Sequence, residues 1–284
     1  MSANPEVATT HPPSAAALSE EVAEPRAAQQ ADNIVHSMEV RGVHKTFGDS
    51  QVLSGINLDF VDDRITTILG PSGTGKSVLI KHLVGLLEPD KGEVLIFGKD
   101  IWNVSENERY ELRKRFGVLF QDGALFGSMN LFDNVAFPLR KHTDMKEKDI
   151  REFVMGRLTE VGLERSVAKL PNEISGGMRK RAGFARALIL EPDIVLFDEP
   201  DSGLDPVRTS LLNDLILEMH ERHKGTYLVV THDIRTAHKV SDYVGVIWRG
   251  KVVHYSEAAG AFGSEDPFVR QFLSGDSAGP LGMD

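Results

Sequence analysis

The run Gly70-Pro71-Ser72-Gly73-Thr74-Gly75-Lys76-Ser77 constrains this chain more than any other feature. It matches a phosphate-binding loop in full and sits in the required context. A β-rich run at 65–69 precedes it, and residues 76–87 behind it have helical spacing. Gly73 and Gly75 let backbone N–H groups wrap a phosphate without Cβ clashes. The helix N-terminus turns its partial positive charge on the same phosphate. Lys76 suits the β- and γ-phosphates, and the Ser77 hydroxyl suits Mg²⁺. Out of context the same letters also describe a Gly-rich turn with no ligand.

The rest of the chain reads as α/β. Residues 93–97 and 116–120 are strand-like, and Ser105 with Glu108 forms a capping box before a short helix. Ile150, Val154, Leu158 and Val161 recur at helical period and stop at Gly162. The continuous apolar runs 194–197 and 227–230 suit parallel strands buried on both faces. Pro206 opens a helix, and 243–248 with 251–255 reads as a hairpin around Arg249-Gly250. Residues 122–190 are helix-rich and fall between strands, so they are expected to form an inserted helical lobe. Residues 1–36 hold nine Ala, four Pro, five acids, one Arg and no aromatic residue. Such a segment cannot bury enough apolar surface to offset its ordering entropy, and a disordered tail is expected. Residues 37–260 are left as the folded domain. Residues 261–284 form an extension expected to dock on a partner subunit.

Two further motifs carry chemistry. Ile194-Val-Leu-Phe-Asp198-Glu199-Pro200 puts two carboxylates at the C-terminal end of a buried strand, where ligands sit in open α/β sheets. Asp198 suits a Mg²⁺ shell, and Glu199 suits polarisation of an attacking water. A solvated strand end with chance acids is the alternative. Ser175-Gly176-Gly177 leads a helix rich in cations and makes a second anion site. One nucleotide site rarely needs both on one chain. The economical arrangement is two chains, each lending its Ser-Gly-Gly to the other's phosphate loop.

Composition narrows the classes. With 32 Lys and Arg against 42 Asp and Glu, the formal net charge is −10, which suits neither nucleic-acid backbone nor an anionic lipid surface. Cysteine is absent, so disulfides, thiolate chemistry and Cys-ligated metals are excluded. No apolar run approaches the roughly 18 residues of a membrane-spanning helix.

The phosphate loop, Gln121, Ser175-Gly176-Gly177, Asp198-Glu199, Ser202-Gly203-Leu204-Asp205 and His232 follow one another in the order of an ATP-binding-cassette (ABC) ATPase. The resemblance covers about residues 38–255. It implies a P-loop NTPase of ABC type: a mostly parallel core sheet with helices, an N-terminal antiparallel β part and the inserted helical lobe. It implies that Gln121 touches Mg²⁺ and senses a membrane partner, that Asp205 belongs to a loop crossing a dimer interface, and that His232 holds the γ-phosphate and the attacking water. On its own, His232 fits a capping or surface histidine equally well. Phe47 matches the aromatic that stacks on adenine; a buried strand aromatic is its other reading.

Position 178 is Met, where most of that family carries Gln, and a thioether cannot donate to a ribose. The surroundings 120–130, 176–182 and 198–206 are similar to a narrower group, the ATPases of Mce (mammalian-cell-entry) lipid and sterol importers of the Mkl/MceG type, and more distantly those of Mla phospholipid transport. The resemblance implies hydrolysis of MgATP by a head-to-tail homodimer at the cytoplasmic face of the cell membrane. It also implies integral-membrane permease subunits and, through them, extracytoplasmic Mce-type lipid-binding proteins. Alternatives are the ATPase of another ABC transporter with a different substrate, or a non-transport ABC ATPase. One phosphate loop and an acidic balance disfavour the last and argue against nucleic acid as a partner. Among the apolar residues after Gln121, Phe126 and Met129 are expected to line a groove for a permease helix, while most of the others are expected to be core.

Overall fold

A computed structural model describes residues 35–121 and 123–281. The tail expected over 1–36 lies outside the described residues up to position 34, and His36 already belongs to the first strand. The strands β1 (His36–Phe47) and β2 (Ser50–Val61) form a long antiparallel hairpin, followed by β3 (Ile65–Leu69) and helix α1 (Lys76–Leu83). Next come β4 (Lys91–Ile96), β5 (Lys99–Asp100), α2 (Glu106–Lys114) and β6 (Phe116–Leu119). Among the described residues three α-helices stand between β6 and β7 (Ile194–Asp198): α3 (Leu131–His142), α4 (Glu147–Glu160) and α5 (Gly176–Leu188). The chain continues through α6 (Pro206–His223), β8 (Thr226–Thr231), α7 (Ile234–Val240), β9 (Tyr243–Trp248), β10 (Lys251–Glu257), α8 (Ala258–Phe262) and α9 (Pro267–Ser274).

Two sheets result. One is antiparallel in the order β2-β1-β4-β5; the other runs β10-β9-β3-β8-β7-β6. In the second sheet β3, β6, β7, β8 and β9 pair in parallel, and β10 closes the edge antiparallel to β9. The order brings the C-terminal ends of β3, β7 and β8 side by side, which is where the motifs lie.

The period-two geometry of a strand explains the continuous apolar runs. Along β7, Ile194 and Leu196 face the core shared with α1 and the antiparallel sheet. Val195 and Phe197 face the opposite core, shared with α3, α4, α5 and α6. Ile150, Val154, Leu158 and Val161 of the helical repeat all enter that second core. The Ser105–Glu108 capping box is formed at the head of α2. Helix α1 is shorter than its spacing predicts. Gly85 adopts φ +67° just past it and its N–H donates to the His82 carbonyl at 3.0 Å, a left-handed stop. The C-terminal extension expected to dock on a partner subunit packs apolar side chains on its own chain. Val269 is buried, Phe268 meets Trp248 edge-on at 5.8 Å, and Phe262, Phe272 and Leu273 join the cluster around Val244 and Val246.

Helix α5 lies unusually close to the loop that follows β6. A Cβ on Gly183 would stand 2.7 Å from Leu119 Cδ1 and 2.8 Å from the Gly123 carbonyl oxygen. Arg186 of the same helix donates to that carbonyl at 3.0 Å. The helix led by Ser-Gly-Gly is thereby held against the loop that carries Gln121. Alanine is the better helix former by about 1 kcal/mol, but overpacking against fixed backbone costs about 1–3 kcal/mol. Gly183→Ala is therefore expected to destabilise the chain by about 1 kcal/mol net, read as a lower urea midpoint at unchanged m-value. A higher midpoint would show that the helix and the loop are not in contact.

Candidate functional site

The phosphate loop bridges β3 and α1. Gly75 is the N-cap of α1 at φ +98°, and a Cβ there would strike Leu53 at 2.6 Å. Gly73 has φ +82° and open space where its Cβ would be. Both backbones therefore have the left-handed geometry that turns successive N–H groups inward. The Lys76 side chain is only 4% exposed. It donates to the carbonyls of Gly70 (2.7 Å) and Pro71 (2.9 Å) and lies 3.8 Å from Glu199 Oε1. Burial pulls the Lys76 pKa down, and the carboxylates of Glu199 and Asp198 oppose that pull.

The carboxylate pair closes on the same point. The Ser77 hydroxyl donates to Asp198 Oδ1 at 2.9 Å, joining the two residues across the sheet. Burial pushes the Asp198 carboxyl above its ordinary range; the Ser77 bond and Lys76 work against this, and neighbouring Glu199 adds to it. The Asp198 carboxylate and the Ser77 hydroxyl are hard oxygen donors of the kind Mg²⁺ prefers. The donor set fits that ion, which would neutralise charge on phosphate oxygens.

Glu199 sits at φ +49°, a left-handed conformation that a non-glycine residue adopts at a cost of about 1–3 kcal/mol. Its N–H donates to the Val230 carbonyl at 2.8 Å and its own carbonyl accepts from the buried Lys180 of α5 at 3.4 Å. The strained backbone turns the side chain between Lys76 and His232, whose Nδ1 lies 3.6 Å from Glu199 Oε1. His232 is half exposed, so the imidazole faces solvent on one side and the carboxylate on the other. Loop N–H groups, an ammonium, a carboxylate and an imidazole around one point can hold a triphosphate and activate a water against it.

Of the residues singled out in the sequence, Lys76, Ser77, Asp198, Glu199 and His232 thus come together. Gln121 joins them indirectly through its Nε2, which donates to Ser202 Oγ at 3.0 Å. Phe47 stands at the end of β1 with 48% of its surface exposed, so it is not a buried strand aromatic. A cleft of about 310 Å³ beside the loop is lined by Ser72, Gly73 and Thr74 together with Gln51, Val52 and Arg249. Ser175, Gly176 and Gly177 are elsewhere. Ser175 caps α5, accepting from the Met178 N–H, and lines a different cavity of about 490 Å³ between α5 and α6 with Met178, Leu204 and Leu215. Among the described residues no hydrogen bond or ion pair links Ser175–Gly177 to the phosphate loop. Asp205 caps α6 through the N–H groups of Val207 and Arg208, both at 3.0 Å. The Arg208 N–H holds its carboxyl below the usual range.

Sequence reasoning missed three supports. Asp201 is buried and accepts from the Thr231 hydroxyl at 2.6 Å, tying the Glu199 segment to the residue before His232. Lys180 read as one more cation of α5, yet its ammonium grips the Glu199–Ser202 turn. Asn134 is fully buried and binds both the N–H and the carbonyl of Phe126, at 2.7 and 3.1 Å. The only signal for Asn134 was a polar residue on the apolar face of a helix.

The profile of the ABC transporter family matches residues 53–202. The chain is 53% identical over 247 residues to the probable ribonucleotide transport ATP-binding protein mkl of Mycobacterium leprae, covering 87% of this chain and 71% of that protein. It is 43% identical over 244 residues to the intermembrane phospholipid transport system ATP-binding protein MlaF of Haemophilus influenzae, covering 86% and 92%. The fold is similar to that of the ATP-binding cassette MJ0796, solved as a dimer in a post-hydrolysis state with ADP and Pi. The TM-score is 0.72 at 28% identity, covering 78% of this chain and 98% of that one.

Glu199→Gln keeps the shape of the side chain and removes its basicity. Nucleotide affinity is expected to persist while phosphate release falls about 100-fold or more, the scale of a lost positioned base. Near-normal turnover would remove Glu199 from the chemistry.

Proposed function

We propose that this chain, which belongs to the ABC transporter family as an ATP-hydrolysing nucleotide-binding subunit, powers lipid import of the Mce type from the cytoplasmic face of a membrane. The family and the ATPase activity coupled to transport rest on the profile match and on the relatives above. The observation that carries the mechanism is the convergence of Lys76, Asp198, Glu199 and His232 at the ends of β3, β7 and β8, with Ser175 in a separate cavity. In this reading Lys76 and the loop N–H groups hold the β- and γ-phosphates. Ser77, Asp198 and Gln121 hold Mg²⁺. Glu199 takes a proton from the attacking water, and His232 orients that water and the γ-phosphate. Phe47 stacks on adenine. Ser175-Gly176-Gly177 and Asp205 complete the site of a second copy in a head-to-tail homodimer, so each dimer has two sites. Met178 meets the ribose by packing alone.

Among the described residues no helix is long and apolar enough to cross a membrane, so the reading requires separate permease subunits. Phe126 (41% exposed) and Phe137 (38%) pack at 4.9 Å, with the Arg186 guanidinium 5.6 Å from the Phe126 ring. Met129, expected beside Phe126, is half-buried, whereas Leu131, Val135 and Leu139 are core. An exposed aromatic pair on the loop and helix that follow Gln121 suits a short permease helix. The cargo separates the relatives: MlaF is named for phospholipid and mkl for ribonucleotide transport. The likeness to MlaF and the resemblance of the motif surroundings to Mce-type ATPases favour lipid, reached through extracytoplasmic Mce-type proteins bound to the permease.

The test is affinity purification from detergent-solubilised membranes. A multi-spanning permease with co-purifying lipid is expected; bound ribonucleotide cargo without lipid would overturn the lipid reading, and recovery of ribosomal proteins in place of a permease would overturn membrane coupling. Replacing Phe126 and Phe137 together by Ser is expected to abolish permease recovery while shifting the Tm of the isolated chain by no more than a few degrees, since both rings are exposed. A stable mutant that still recovers the permease would place the docking groove elsewhere.

A further inference from the structure

Phe47 is the last residue of β1 before a two-residue turn, and it is half exposed. A strand end in that position has little packing to hold an aromatic ring at a fixed angle. The support comes from the loop that leaves α1. Asp90 Oδ1 accepts from Lys45 Nζ at 2.7 Å, and Asp90 Oδ2 accepts from the Thr46 N–H at 2.7 Å. The Asp90 N–H donates to the His44 carbonyl at 2.9 Å. Lys45 Nζ also donates to the Glu88 carbonyl at 2.8 Å and lies 5.8 Å from the centre of the Phe47 ring. Every one of the three residues before Phe47 is held by Asp90. The ammonium of Lys45 occupies one face of the ring within cation–π range, which leaves the other face for a base.

We infer that Asp90 is a positioning residue for the nucleotide base: it clamps Lys45 and Thr46, and through them fixes Phe47 as a stacking platform for adenine. The inference rests on the reading of Phe47 given above. The carboxyl is held below its ordinary range, first by Lys45 and next by the Thr46 N–H, so it is a charged acceptor at neutral pH. The placement also has a mechanical consequence. Lys76 and Ser77 open α1, and Asp90 lies in the loop after its C-terminal end. A helix of eight residues spans about 12 Å. The helix that opens with the phosphate grip is thus followed by the loop that carries Asp90 to β1 and the base platform.

Asp90→Ala and Lys45→Met test this beside Phe47→Ala, with calorimetric titration by MgATP and by magnesium tripolyphosphate, which has no base. The two clamp variants are expected to weaken ATP by about 5-fold, the scale of a lost charge-assisted hydrogen bond at a half-exposed site. Phe47→Ala is expected to weaken it at least as much. Tripolyphosphate affinity is expected to stay at the wild-type level in all three. Asp90→Asn, which keeps an acceptor for Thr46 but loses the ion pair, is expected to fall between. If Phe47→Ala weakens ATP while both clamp variants bind it normally, Asp90 does not act on the platform. Equal loss of ATP and tripolyphosphate in the clamp variants would show a general disturbance of α1 and overturn the inference. If Phe47→Ala itself leaves ATP affinity unchanged, the platform reading fails and the role of Asp90 falls with it.

Discussion

Lys76 brings a positive charge to a point that solvent barely reaches, and the surrounding architecture keeps it there. Burial lowers its pKa, and the carboxylates of Glu199 and Asp198 offset only part of that pull. The carbonyls of Gly70 and Pro71 take up its donors. These partners come from two places in the chain: the loop after β3 and the end of β7. They meet because the parallel order β3-β8-β7 sets the C-terminal strand ends next to one another. A triphosphate offers the same ammonium several anionic oxygens in water-poor surroundings, where charge-assisted bonds are strongest. The setting of Lys76 is thus built into the sheet order as much as into the loop.

Strain and tethering do the finer positioning. Glu199 holds a left-handed backbone that a glycine would tolerate more easily, and three interactions maintain it: its N–H to Val230, its carbonyl to Lys180, and the Asp201–Thr231 bond one turn on. Lys180 belongs to α5, the helix led by Ser175 and pressed on the Gln121 loop through Gly183. A shift of α5 therefore reaches the carboxylate and the glutamine together. In the proposed dimer, closing Ser175 onto the partner's phosphate loop would be felt at the chain's own Glu199.

Much of this was legible in the sequence because it is local. The phosphate loop, the Asp198-Glu199 strand end and the Ser105–Glu108 cap are short spans whose geometry follows from adjacent residues. The buried strands were legible because two opposed cores turn period-two packing into unbroken apolar runs. The supports were not, because each is a long-range pairing of a common residue type. Asp201 meets Thr231 across thirty positions, and Lys180 meets the Ser202 turn across twenty-two. The end of α1 was placed too late because Leu86 and Leu87 extend the apolar spacing beyond Gly85, whose left-handed φ ends the helix first. The packing of the C-terminal extension on its own chain was not legible because Val244 and Val246 are also strand residues that a sequence assigns to the sheet alone.

The account stands on one claim: a chain holds two halves of an ATP site that do not meet within it. Lys76 and Ser175 lie at separate sites, and no described contact joins them. Mixed dimers of Ser175→Arg and Lys76→Ala subunits, each inactive alone, measure this directly. Both lesions then fall on one composite site and leave the other whole. Random mixing makes half the dimers mixed, so phosphate release is expected to return to about a quarter of the wild-type rate per dimer when sites turn over independently. A mixture as inactive as either parent would contradict the shared site.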